Sequence, residues 1–193
     1  MRIRFLFIAA VVLPVIVGAG ERSSAQQPSA NRVAQTFRAF GRPYGAWLLA
    51  AFDSIPASKY EYRPMAVQQS VGYIAQHLED ANYQLCALLG DAKRLMTAKD
   101  SLADTIKAKW PKDTLVVRLR ASLVFCGDAI AKLNDASLAD ELTVGPPNGG
   151  QTVLRVRYLI LLVTDLAEHY SQISSYMRLL GLVPPSALPQ PTR

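Results

Sequence analysis

The sequence predicts an all-α protein, built as a four-helix bundle. Three observations lead there. Apolar residues recur at alternating steps of three and four through four long segments. Proline and glycine lie mostly outside those segments. No run alternates polar and apolar residues over a length that a half-buried strand would need. The 193 residues, half of them hydrophobic, suit one domain and are ample for a core.

The elements follow in chain order. "MRIR" is a short basic start, and "FLFIAAVVLPVIVGAG" is an apolar run from Phe5 to Gly20 interrupted by Pro14. Ser23 and Ala25 then offer the small residues of a signal-peptidase site, and a cut after Ala19 fits as well. The run is shorter than the ~20 residues of a spanning helix. Residues 1–25 are therefore expected to be a cleaved signal peptide, leaving no stable membrane span. The mature domain, residues 26–193, is expected to be exported, periplasmic or secreted. Residues 26–31 read as a flexible leader.

Helix one is expected from about Asn31 to Phe52, with Gly41-Arg42-Pro43 kinking it or splitting off a leading turn. The loop "ASKYEYRPMAVQQ" follows. Helix two starts at Ser70, a good N-cap, and buries Val71, Ile74, Leu78, Ala81, Leu85 and Leu88. Gly90-Asp91 weakens or closes it. The polar stretch beyond holds a short helix from about Ser101 to Lys109. Helix three follows Pro111, with Leu115, Leu119, Ser122, Cys126, Ile130 and Leu133 as its stripe. "TVGPPNGG" breaks the chain. Helix four is expected from about Thr152 to Leu180, with Tyr158, Leu162, Asp165, His169, Gln172 and Tyr176 facing inward. Gly181 and Pro184-Pro185 stop it, and a short tail follows.

Charge and cysteine usage narrow the function classes. Loss of Arg2, Arg4, Arg22 and Glu21 with the leader lowers the net charge from +6 to +4. The remaining positive charges, among them Lys107, Lys109, Lys112, Arg118, Arg120, Arg155 and Arg157, are scattered and read as a solvated face. No basic block carries interleaved aromatics, so no nucleic-acid partner is expected. Cys86 and Cys126 are an even pair in an oxidising compartment, which favours one disulfide over two buried thiols. Closing so long a loop stabilises by roughly 4 kcal/mol in the chain-entropy model.

Asp165 and His169 are one helical turn apart on a face shared with Leu162 and Tyr176. A carboxylate there is costly unless it is paired, protonated or bound to a cation. His77, the other histidine of the chain, lies beside the inward stripe of helix two. Bundle metal sites are built from such inward side chains on facing helices. Two imidazoles and a carboxylate suit a divalent transition metal with positions left open. The residues equally allow a buried Asp165–His169 hydrogen bond with His77 as an ordinary core or rim histidine. Glu168 should point about 100° away, as a solvated or supporting carboxylate. Tyr73 could line a pocket or pack, Tyr83 and Tyr170 read as core or rim aromatics, and Arg178 as a local cap or pair. Glu79 and Asp80 read as an exposed face.

Two stretches carry a family resemblance. "KYEYRP" leading into "SVGYIAQHLEDANYQLC" resembles the segment of DinB-like proteins in which a Tyr-x-Tyr-Arg-Pro loop precedes a helix with a metal histidine, here His77. "DLAEHYSQISSYMRLLGLVPPS" resembles that family's closing helix through Glu168, His169, Tyr170, Tyr176, Arg178, Gly181, Val183, Pro184 and Pro185. The resemblance implies a DinB/YfiT-type four-helix bundle with a three-histidine metal site. Asp165 stands where the family has its first closing-helix histidine, and Ser171 replaces a glycine. His77, Asp165 and His169 are thus the expected ligands of a divalent transition metal (Zn, Ni, Mn or Fe).

Two functions follow as expectations. One is a metal-dependent hydrolase or thiol transferase acting on a small molecule, since some relatives use low-molecular-weight thiols. No residue stands out as its general acid or base. The other is a non-catalytic envelope module that kept the fold and lost the metal. DinB-like bundles often dimerise, so a homodimer fits either.

Overall fold

The computed structural model describes residues 31–146 and 149–189. The expected signal peptide, most of the expected leader and the last four residues lie outside the described residues. Four long helices dominate: α1 (Arg32–Ser54), α2 (Val71–Gly90), α4 (Lys112–Ala131) and α6 (Val156–Leu179). The short helices α3 (Asp104–Lys107) and α5 (Asp135–Leu138) flank α4. Strands β1 (Glu141–Val144) and β2 (Gln151–Leu154) form an antiparallel hairpin before α6. No helix among the described residues is long and apolar enough to cross a membrane.

Cross-links between helices fix their order and direction. α2 and α4 run parallel, joined by the Cys86–Cys126 disulfide (Cα–Cα 5.1 Å) and by Asn82 Nδ2 donating to Ser122 Oγ at 3.0 Å. α6 runs antiparallel to α2. At one end Arg155 donates to the carbonyls of Leu88 and Leu89, and at the other the Tyr176 hydroxyl donates to the Gln69 carbonyl. α1 lies along α6, with Gly41 against Val163 and Trp47 against Tyr170. α1 meets α4 in the opposite sense, where Arg38 donates to the carbonyls of Ile130 and Leu133. Leu48, Phe52, Ile74, Leu78, Leu119, Leu162 and Ile173 fill the centre with almost no exposure.

The start of α2 is anchored on three sides. Ser70 Oγ accepts from the Tyr73 amide, the expected N-cap. The Tyr60 carbonyl accepts from the Gly72 amide at 2.8 Å. A Cβ on Gly72 would stand 2.2 Å from the Ala108 carbonyl oxygen, so only glycine allows this approach. The anchoring holds the loop before α2 against the end of α6, where the polar site lies.

Several expectations need correction. A strand pair does exist. Its four-residue strands are too short to show alternation, and Gly145 and Gly149, both at positive φ, turn the chain between them. α6 therefore starts at Val156 rather than Thr152. α1 continues through Pro43 without a break. The expected helix over Ser101–Lys109 is a 3-10 turn, Ala98–Ser101, followed by α3. In the second half of α2 the fully buried side chains are Asn82, Cys86 and Leu89, one position on from the expected Ala81, Leu85 and Leu88.

Two charge readings also fail. Glu79 is only 2% exposed, bound by Arg94 and Arg118 rather than by water. Lys107 and Arg155 are likewise buried, held by Asp80 and by Asp91 with helix carbonyls respectively.

Candidate metal centre

α2 and α6 bring the three expected polar residues together. His77 Nε2 lies 3.5 Å from Asp165 Oδ1, and His169 Nε2 lies 3.4 Å from the same oxygen. One ligand atom from each residue falls within 4.8 Å of the other two. The imidazole centroids are 4.8 Å apart at 64°. Exposure grades across the trio, with the side chains of His77, Asp165 and His169 at 36%, 22% and 9%. They stand in a cleft whose walls are polar, including Gln68, Gln69, Glu168 and Gln172.

A chain of hydrogen bonds fixes how His169 presents itself. The Gln69 carbonyl can only accept, so the Tyr176 hydroxyl donates to it, at 3.0 Å. The Tyr176 oxygen must then accept, and Gln172 Nε2 donates to it at 3.1 Å. That orients the amide so that Gln172 Oε1 faces His169 Nδ1, at 3.1 Å. Nδ1 therefore carries the proton. Nε2 of the neutral ring directs a bare lone pair at the Asp165 carboxylate. Two electron-rich atoms 3.4 Å apart repel unless a proton or a cation lies between them.

The carboxylate has the same need. Asp165 Oδ2 is buried without a hydrogen-bond partner among the described residues. Burial pushes the Asp165 pKa up, but the bonds and charges of His169 and His77 outweigh it and hold it down to about 2. Burial pushes His169 down, yet the Asp165 carboxylate beside it, helped by Gln172, raises its pKa. The site thus keeps its carboxylate ionised and wants positive charge beside it. For metal bonds of about 2.1 Å, the edge of a tetrahedral site is about 3.4 Å. The two edges at Asp165 Oδ1, 3.5 and 3.4 Å, match that length.

The remaining sequence candidates fall elsewhere or play smaller parts. Glu168 is exposed at the cleft wall. Tyr73 lines a separate hollow with Arg63 and Lys109. Tyr83 packs on Phe125 and lies under the Arg94 guanidinium. The Tyr170 hydroxyl accepts from the Ser186 amide, and Arg178 donates to Ser174 Oγ. The orienting parts of Gln172, Tyr176 and Gln69 were not legible in the sequence. Gln172 and Tyr176 on the inward stripe were the only signal, since the decisive acceptor is a backbone carbonyl 107 residues away.

Among solved structures, several share this architecture. A DinB-like protein from Bacillus cereus matches with a TM-score of 0.58 at 15% identity, covering 78% of this chain and 95% of that one. The chain has a DinB-like fold. A conserved protein from Enterococcus faecalis matches as well, with a TM-score of 0.58, 16% identity and 77% and 96% coverage. So does a mycothiol-dependent maleylpyruvate isomerase, with a TM-score of 0.56 at 10% identity. That match covers 72% of this chain but only 59% of the isomerase. No protein-family model matches the sequence, and no curated protein does. The DinB-like bundle here carries aspartate within its His/Asp/His cluster, at the position where the sequence resemblance expects histidine.

Proposed function

We propose that this DinB-like chain is an exported protein in which His77, Asp165 and His169 hold a divalent transition metal and serve hydrolysis of a small molecule. One observation carries the reading: the chain from the Gln69 carbonyl through Tyr176 and Gln172 that aims the lone pair of His169 Nε2 at Asp165. When bound, the ion supplies Lewis acidity and lowers the pKa of a water or thiol ligand. His77, the most exposed of the three, forms the outer wall of the centre. Gln172 holds the His169 ring and its tautomer. Gln68 and Gln69 form part of the polar wall beside which a substrate would lie. Export favours hydrolysis over transfer to a cytosolic thiol. The mycothiol-dependent neighbour of the same fold keeps thiol transfer as the alternative chemistry.

Elemental analysis of protein purified without a polyhistidine tag, wild type beside His169→Ala, tests this. Near-stoichiometric metal in the wild type and its loss in the variant is the expected result. A metal-free wild type that takes up neither Zn, Ni, Mn nor Fe overturns it. A second reading then applies, in which a proton on His169 fills the gap to Asp165 and the bundle is a non-catalytic envelope module. The raised pKa of His169 favours that reading in the absence of metal.

A further inference from the structure

The seam between α1 and α4 is open. Gly41 and Gly45 on α1 and Gly127 on α4 present no side chains to it, and a trough of about 720 Å³ results. Its floor is apolar, with Leu123, Ile130, Leu162 and Leu166 among the lining residues. Three arginines line it, Arg38, Arg42 and Arg120, and among the described residues no acidic side chain does. Two of the three are engaged. Arg38 donates to the carbonyls of Ile130 and Leu133, and Arg120 pairs with Asp53 at 3.3 Å. Arg42 is exposed and has no hydrogen bond or ion pair among the described residues. The trough shares no lining residue with the His77 cleft.

We propose that this trough binds a long-chain fatty acid, its alkyl chain along the seam and its carboxylate on Arg42. The α1 lining runs from Phe37 to Leu49, about 18 Å at the helical rise, which suits one extended acyl chain. An apolar hollow of this size with few polar groups is the ordinary form of a small-ligand site. A free guanidinium is the side chain best matched to a carboxylate, because its fork pairs both oxygens. Charge argues against a second copy of the chain as occupant. A two-fold contact would turn the arginine-lined seam toward its own twin, in a basic chain that keeps a net +4 after loss of residues 1–25.

Binding of 13C-carboxyl-labelled myristate to delipidated protein tests the assignment, read by the carboxyl resonance and by calorimetry. One saturable site per chain is expected. Arg42→Glu should weaken it by about tenfold or more, and neutral tetradecanol should bind weaker than myristate by a similar factor. Gly127 lines the trough and a Cβ there meets nothing within 4 Å, so Gly127→Phe is the variant chosen to occupy it. That variant should abolish binding while the circular dichroism spectrum and metal content stay those of wild type. Absence of saturable binding overturns the proposal, as does equal binding of tetradecanol, or binding that survives Gly127→Phe. A dimer in sedimentation velocity that Gly127→Phe dissociates would also overturn it, giving the seam to a second copy.

Discussion

His77 and Glu79 are two residues apart on α2 and look out from different flanks into clusters of opposite design. On the Glu79 flank, Glu79, Asp80, Asp100 and Asp104 meet Arg94, Lys107 and Arg118, four acids against three bases. Every carboxylate has a cationic partner. Glu79 takes Arg118 at 2.7 Å and Arg94 at 3.1 Å, and Asp100 also accepts from the amide and hydroxyl of Thr97 at 2.6 Å. On the His77 flank, one carboxylate faces two imidazoles and has a buried oxygen without a partner among the described residues. The first cluster is closed, with each carboxylate already held by a base, so its buried carboxylates take no further partner without breaking it. The second is open to a cleft and short of positive charge. Buried polar groups become a binding site when their partners are incomplete, and a structural clasp when they are not.

Breaking the closed cluster should have the largest effect. Arg118→Met leaves Glu79 and Asp100, both nearly inaccessible, short of a cation. Removing one partner of such a network costs about 3–5 kcal/mol. Urea unfolding should show that loss while metal uptake per folded chain is unchanged. The open cluster predicts the reverse. Metal-free Asp165→Leu should lie within about 1 kcal/mol of wild type, because a half-compensated buried charge is replaced by an apolar side chain. A loss at Asp165 as large as that at Arg118 would erase the distinction between the flanks.

Metal should act on one flank alone. Zinc or nickel at a hundredfold above its dissociation constant should stabilise the wild type by about 2.7 kcal/mol. It should leave His169→Ala unmoved and stabilise Arg118→Met by the same increment as wild type. Thermal unfolding with and without the ion measures all three. An equal increment in His169→Ala would place the ion elsewhere.

The two flanks also differ in how far the sequence reveals them. The open cluster was visible because Asp165 and His169 share a helical face with Leu162 and Tyr176, so a charge on the buried side demanded an explanation. Arg118 lies on the side of α4 that buries Leu115 and Ser122, and there the expected solvated face gives way to pairing with Glu79 and Asp100. Glu79 was read as exposed because its neighbours in sequence, Asp80 and the α2 surface, are polar. Its partners are Arg118 on α4 and Arg94 beyond the end of α2, and no local period reports a pairing across such distances. The long helices were legible from periodicity and caps, Ser70 among them. The hairpin was not, because four-residue strands held by turn glycines leave no alternation to read. Nor was the tautomer of His169, which depends on a backbone carbonyl.

That carbonyl leads to a smaller effect. Gln172→Leu removes the acceptor from His169 Nδ1 without touching any ligand atom. The ring is then free to turn and to carry its proton on either nitrogen. Loss of such an orienting partner weakens metal binding by about 10–100-fold. Competition against a chelating dye measures it, and an unchanged affinity would mean that Gln172 does not set the tautomer.

The smallest effect separates the proton from the metal as occupant of the open flank. In the metal-free protein Asp165 is held at about 2, below its ordinary 3.8. Its contribution is present above pH 3.8 and is lost as pH falls toward 2. His169 is raised above its ordinary 6.5. Its contribution is full below pH 6.5 and is lost as pH rises through the folded value. The pair therefore stabilises most between those limits, and metal-free stability should decline as pH rises above 6.5. Asp165→Asn should flatten that decline, while Glu79, present in both proteins, cancels from the difference. Metal reverses the sign, because its ligands must give up protons to bind it, so stability with zinc should rise over the same range. Thermal unfolding of wild type and Asp165→Asn from pH 6 to about 8.5, with and without zinc, resolves the slopes. Opposite slopes in the wild type mean that metal and proton compete for the gap between His169 Nε2 and Asp165. Parallel slopes would mean that the ion, if bound, does not enter it.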